Sequence, residues 1–202
     1  MSTWNNTMRT ARAAAAVAVL ALPASPLSAG DLPVAPRVGH APRISVTSSE
    51  GTYCVKGSFH VDAPLGVAWD VLTDYDNLAT FVSSMRSSTS SRGASGRLIV
   101  IQEAVGRLGP FKRAMNVVLD VTEEKPARIA FQDVSGGSFH SYEGAWTLEP
   151  AGGGVLVTYG LEARARSTPR LFGRSIMASN ARDLLEEVRA EMLRRQRTRG
   201  TN

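Results

Sequence analysis

Phe59-His60-Val61-Asp62-Ala63-Pro64-Leu65-Gly66-Val67-Ala68-Trp69-Asp70-Val71-Leu72-Thr73-Asp74-Tyr75 decides the fold, because the hydrophobic period changes inside it. On the N-terminal side Tyr53, Val55, Phe59 and Val61 recur at every second position with Gly57 in the gap, the spacing of a half-buried strand. Toward the C-terminal side Ala68, Trp69, Val71, Leu72 and Tyr75 recur at helical spacing. Asp62-Ala63-Pro64 is the junction: proline interrupts a strand ladder and suits the start of a helix, where its missing N–H leaves no bond unmade. A second helical turn is expected over Leu78 to Val82. Two short helices therefore follow the first strand.

Beyond them, Ser83 to Gly96 is dominated by serine, with Met85 its only large apolar residue, and reads as a polar edge strand or a loop. Five strand-like blocks follow: Arg97 to Val105, Arg113 to Thr122, Ala127 to Val134, Phe139 to Leu148 and Val155 to Ala165. Their separators carry Gly, Pro or Glu-Lys-Pro turn chemistry, and such short connections imply an antiparallel meander. A long helix is expected from about Leu171 to Arg197, with Ile176, Met177, Leu184, Leu185, Val188 and Met192 in one apolar stripe. These elements predict an α+β fold, a curved antiparallel sheet of about six to seven strands wrapped around the C-terminal helix. A helix laid across a curved sheet leaves room for a concave, mostly apolar pocket.

The stretch 59–75, with its apolar strand, Ala-Pro, Ala-Trp and Thr-Asp-Tyr, resembles the opening of the START-like (SRPBCC) superfamily, in its polyketide cyclase/dehydrase and lipid-transfer branch. Glu143-Gly144-Ala145-Trp146-Thr147-Leu148-Glu149-Pro150, a Gly-rich turn and Val155-Leu156-Val157-Thr158-Tyr159 are similar to that family's late hairpin. The resemblance spans roughly residues 50–197. It implies a helix-grip fold and a cavity for a lipid, isoprenoid or aromatic polyketide-like molecule, without implying one reaction. The serine-rich second strand departs from the family pattern, which carries more apolar residues there.

The first residues belong to a different class of sequence. Arg9 and Arg12 precede an apolar run from Ala13 to Leu22, too short to span a bilayer, which ends in Pro23, Pro26 and Leu27-Ser28-Ala29. This is the pattern of a secretory signal peptide cleaved after Ala29, and it predicts a periplasmic or secreted protein. Residues 30–49, with Pro33, Pro36 and Pro42, read as a linker with little regular structure, and residues 50–198 as the START-like ligand-binding domain. Loss of Arg9 and Arg12 leaves 21 basic against 18 acidic residues, so the formal charge falls from +5 to +3. Much of that excess lies at the end, where Arg189, Arg194, Arg195, Arg197 and Arg199 face Glu191 alone in the sequence. Such a run is a solvated helix end, with transient contact with an anionic membrane surface as the alternative. An exported chain is not expected to bind nucleic acid.

No catalytic residue, cofactor or metal site stands out. The single cysteine, Cys54, excludes an internal disulfide and a Cys-based zinc site, and no two of His40, His60 and His140 have ligand spacing. His60 alternates with Phe59 and Val61 and is expected to face solvent, whereas His140 shares parity with Tyr142 and Trp146. Asp70, Asp74 and Asp76 read as the solvated face of the first helix. Parity nominates Phe59, Met115, Val117, Phe131, Tyr142, Trp146, Val157 and Tyr159 for the pocket wall, with Phe172 and Met177 from the long helix. The expected function is binding or transport of a hydrophobic small molecule. The alternative is a cyclase- or dehydratase-like enzyme moving protons with Tyr142, His140 or Asp133.

Overall fold

The computed structural model describes residues 41–93, 96–108, 111–166 and 173–200. The expected signal peptide and linker residues 30–40 lie outside these. Among the described residues eight strands form one antiparallel sheet: β1 (Arg43–Ser49), β2 (Thr52–Val61), β3 (Met85–Arg92), β4 (Leu98–Leu108), β5 (Phe111–Glu124), β6 (Arg128–Asp133), β7 (Phe139–Ala151) and β8 (Gly154–Ala165). Their order is β1-β2-β8-β7-β6-β5-β4-β3. Helices α1 (Leu65–Leu72) and α2 (Leu78–Phe81), joined by a 3-10 turn at Tyr75–Asn77, follow β2, and α3 (Gly173–Arg199) closes the fold. This is the expected α+β helix-grip architecture, with more strands than the six to seven read from the sequence.

The extra strand comes from residues 43–49, which were expected to be irregular. Ile44 and Val46 alternate with polar residues and pair with Gly57 and Val55 of β2, which supplies a first hairpin partner through the turn at Glu50-Gly51. The serine-rich stretch becomes β3, at the opposite sheet edge, where one neighbour suffices and Arg86, Ser87, Thr89, Ser91 and Arg92 face water while Ser88 is buried. Pro64 sits just before α1 in extended conformation and accepts the first amide bonds from Val67 and Ala68.

Ala181, Leu185, Val188 and Met192 of α3 are buried at spacings of four, three and four. The helix makes its principal contacts with β1, β2 and α1, and reaches β4 on the far side. Because β2 and β4 are separated by four strands in the sheet order, a helix can meet both only if the sheet bends round it. The helix rests closely on β2 at Gly57, where a Cβ would stand 2.7 Å from Leu185 Cδ2 and 3.0 Å from Ile44 Cδ1. The strand lacks a side chain where the helix rests on it.

Polar groups that the sequence assigned to solvent turn out to pin these layers. Asp74 pairs with Arg195 and Asp70 with Arg199, tying α1 to the end of α3. Asp76 accepts from the Ser90 backbone N–H and hydroxyl, fixing β3. Glu191 is buried and receives Arg194 and Arg195 at 2.6 and 2.7 Å. Those bonds hold its carboxyl below its ordinary range, against the opposing effect of burial. His60 is buried, contrary to the parity argument, because the β7–β8 hairpin folds over that face. Its Nε2 lies 2.8 Å from the Ala151 carbonyl oxygen, and its Nδ1 is 3.4 Å from Asp62 Oδ1 without an aligned hydrogen bond.

Candidate functional site

The inner face of the sheet is divided in two by where α1 goes. Leaving β2 directly after Val61, α1 folds back toward the strand end it has just left and buries Val67, Ala68, Trp69, Val71 and Leu72. Together with Leu185, Val188 and Met192 of α3 these fill that half as packed core, and Phe59, Val61, Val155 and Val157 are at most 3% exposed there. Over the other half the first turns of α3 cover the sheet, and the segment that follows α2 (Val82, Ser84 and Met85) closes the β3 side. A cavity of about 200 Å³ remains between them.

Each wall follows from strand parity. Odd residues of β8 (Tyr159, Leu161, Ala163, Ala165) and β2 (Tyr53, Val55) form the floor. Met115 and Val117 of β5, with Gln102, Ala104 and Gly106 of β4, form the curved far wall, and Ile176, Met177, Asn180, Ala181 and Leu184 of α3 form the roof. Gly173, the first residue of α3, abuts Tyr53, whose hydroxyl occupies the place a Cβ would need. Small residues and thioethers dominate, and a thioether adapts to irregular apolar shapes.

Five chained aromatic rings back this wall. Phe139 lies 4.7 Å from Tyr142 between centroids, Phe131 lies 5.9 Å from Tyr142 and 6.4 Å from Tyr159, and Trp146 lies 4.5 Å from Tyr159. Phe131 reaches between the tyrosines because its cross-strand partner is Gly144, where a Cβ would be 2.7 Å from the Phe131 Cζ. Burial is the main reason both the Tyr142 and the Tyr159 phenols titrate above their ordinary range. Both phenols are therefore neutral donors.

Of the ten nominated residues, Met115, Val117, Tyr142, Tyr159 and Met177 line the cavity. Phe59 and Val157 do not, since they belong to the half filled by α1, and Phe131 and Trp146 stand behind the tyrosines as bracing rings. Phe172 lies outside the described residues. Two candidates for proton transfer are also misplaced. A register shift between Phe139 and Ser141 turns Phe139 inward and leaves His140 exposed, while Asp133 accepts from the amides of Val118 and Ser135 and from the Ser135 hydroxyl.

Parity missed Tyr53, Val55, Phe139, Leu161 and Ala163 as lining residues. Tyr53 and Val55 share a face with Phe59, so the alternation could not choose between strand ends; the position of α1 chooses. No Asp, Glu, Lys, Arg or His lines the cavity among the described residues, and none of their acidic, His and Cys groups clusters as a metal site would.

A sheet closed on its terminal helix over an apolar hollow defines a helix-grip fold of the START-like class. Residues 52–196 match the family model described as polyketide cyclase/dehydrase and lipid transport, and the chain belongs to that family. Solved structures of like fold include a protein from Thermus thermophilus (22% identity, 69% of this chain and 97% of that one, TM-score 0.57). A STAR-related lipid transfer protein from Xanthomonas axonopodis shares 16% identity over 74% of this chain and 98% of its own (TM-score 0.54). The Zhui aromatase/cyclase of a Streptomyces species shares 18% over 71% and 95% (TM-score 0.56). No curated protein matches the sequence.

Proposed function

We propose that this protein is an exported carrier, periplasmic or secreted, that encloses a hydrophobic small molecule of lipid, isoprenoid or aromatic polyketide-like type. The observation that carries the reading is the apolar cavity of about 200 Å³ under the first turns of α3. Export is supported by the basic, apolar and small-residue succession of residues 9–29. A bicyclic ligand burying on the order of 250 Å² at about 25 cal/mol per Å² would gain roughly 6 kcal/mol, before the cost of association. That range suits a carrier that must also release.

The alternative, a cyclase- or dehydratase-like enzyme, draws on the neighbour named an aromatase/cyclase. Against it stands the wall itself: Tyr142 has no imidazole or carboxylate hydrogen-bonded to it among the described residues, and both tyrosines titrate too high to act as bases.

Native mass spectrometry of gently purified protein, followed by solvent extraction, tests the carrier reading. The expected result is a bound, extractable hydrophobic molecule and a mature chain beginning at Gly30. Protein that binds no apolar probe under any condition refutes the carrier, and an uncleaved N-terminus in a secreting host refutes export.

A further inference from the structure

The roof of the cavity carries one residue that packing alone does not explain. Met177, Asn180 and Leu184 follow one another on α3 at spacings of three and four, so they share a face, and all three line the hollow. Asparagine is a poor residue for a helix interior, because its side chain competes for backbone partners. Thr198, on the same helix, bonds back to the Arg194 carbonyl oxygen in this way. Asn180 does not: among the described residues its side-chain amide makes no hydrogen bond, and it is half-buried. Other polar groups of the wall are engaged, Gln102 as donor to Ser88 and the Ser138 hydroxyl oxygen as acceptor from the Asn116 N–H. Across from Asn180 the far wall has no side chain at Gly106, where a Cβ would stand 3.7 Å from Asn180 Nδ2 and 2.8 Å from Met115 Cε. The Met115 methyl takes the place of that Cβ, and it offers the amide no hydrogen bond.

We propose that Asn180 is the residue through which the cavity reads its ligand. The guest is an apolar molecule bearing a hydroxyl or carbonyl group; that group pairs with the Asn180 amide while the apolar body lies along Met115, Met177 and the tyrosine wall. This rests on the carrier reading and deepens it. A guest that takes the space beside a half-buried amide without replacing its bonds to water leaves donor and acceptor unpaired, and that costs more than a made bond returns. A hydrocarbon incurs this cost and an oxygenated guest avoids it. Because an amide has both N–H donors and a carbonyl acceptor, it serves a hydroxyl in either direction and a ketone by donation alone.

The test uses the purified protein, cleared of bound lipid on a hydrophobic resin, and the uncharged fluorescent probe N-phenyl-1-naphthylamine. Naphthalene, 2-naphthol and 2-acetonaphthone compete for the probe on wild type, Asn180→Leu and Asn180→Asp, each variant checked for cooperative unfolding. In Asn180→Leu, which keeps the size of the side chain, naphthol and acetonaphthone should each lose about three- to tenfold relative to naphthalene, the worth of one neutral hydrogen bond. Asn180→Asp keeps the shape and an acceptor but no donor, so acetonaphthone should lose that factor while naphthol holds its place. Losses of no more than about twofold relative to naphthalene in Asn180→Leu, or equal changes for the two oxygenated compounds in Asn180→Asp, overturn the inference and leave the carrier standing. Should Asn180→Leu fail to fold, the split between naphthol and acetonaphthone in Asn180→Asp decides by itself. Failure of the probe and of naphthalene to bind the wild type at all overturns the carrier reading, and the inference with it.

Discussion

Truncating Leu185 to alanine and adding a methyl at Gly57, singly and together, measures whether α3 is seated on β2. Leu185 is fully buried, and its Cδ2 lies 2.7 Å from the point where a Gly57 Cβ would stand. Leu185→Ala removes a core side chain and leaves a void, which costs about 2–5 kcal/mol. For a domain of this size that is a fall in Tm of about 4–20 °C. Gly57→Ala forces Leu185 and Ile44 aside, at about 1–3 kcal/mol for overpacking, less about 0.5–1 kcal/mol recovered from the flexible glycine. In the double variant the new methyl enters the space Leu185 has vacated, so the strain disappears. The summed cost should exceed the measured cost of the double variant by about 1 kcal/mol. Urea unfolding of the four proteins, with unchanged m-values, gives these energies. Additivity within about 0.5 kcal/mol, or a Leu185→Ala cost under about 1 kcal/mol, would show that the helix does not rest where the geometry puts it.

Three further outcomes are expected. Gly144→Ala should destabilise by about 3 kcal/mol or more by thermal unfolding, and Phe131→Leu should not rescue it, because the new Cβ meets the Gly160 carbonyl oxygen as well as Phe131. Glu191→Gln should cost about 1–3 kcal/mol at neutral pH. Since its carboxyl is held below its ordinary 4.5, the stability it supplies is present above that value and lost as pH falls beneath it. The Gln variant should therefore show a flatter acid limb in a stability–pH profile. Tyr75, Tyr142 and Tyr159 all have raised phenol pKa values, with burial the first cause, so the fold favours their protonated forms. Phenolate absorbance of the native protein above about pH 10 should fall well short of that in denaturant, and stability should decline over the same range. Equal absorbance in both states at that pH would contradict their placement.

The fold was legible because the period changes at Asp62-Ala63-Pro64 and because α3 repeats its apolar positions from Ile176 to Met192, over about four turns. Residues 43–49 were not legible as a strand: Ile44 and Val46 are two apolar positions among serines and threonines, and only pairing with Val55 and Gly57 gives them a face to bury. The site was half legible for a similar reason. Parity assigns Tyr159 and Val157 to one face of β8, but only the packing of α1 decides that Val157 is core and Tyr159 is wall. His140 failed through a register shift that moves its parity, and nothing in Phe139-His140-Ser141 announces it. The arginine-rich tail read as a solvated end because Asp70 and Asp74, which receive Arg199 and Arg195, lie more than a hundred residues away in sequence.

A hollow in a core has a thermodynamic cost, and that cost bears on function. At about 24 cal/mol per Å³, a cavity of about 200 Å³ forgoes roughly 5 kcal/mol of packing. Ala163 marks where the volume is lost, since it pairs with Tyr53 on one side and Tyr142 on the other and offers one methyl between two large rings. Ala163→Leu adds three carbons aimed into the void. At about 0.8 kcal/mol per buried methylene this gains up to about 2 kcal/mol, raising Tm by several degrees, and it should abolish binding of N-phenyl-1-naphthylamine. A stabilised variant that no longer binds would mean that stability has been given up to keep the space open for a guest. A destabilised variant would mean that Ala163 is already in contact on all sides, and the space at this position would then be no chamber for a ligand.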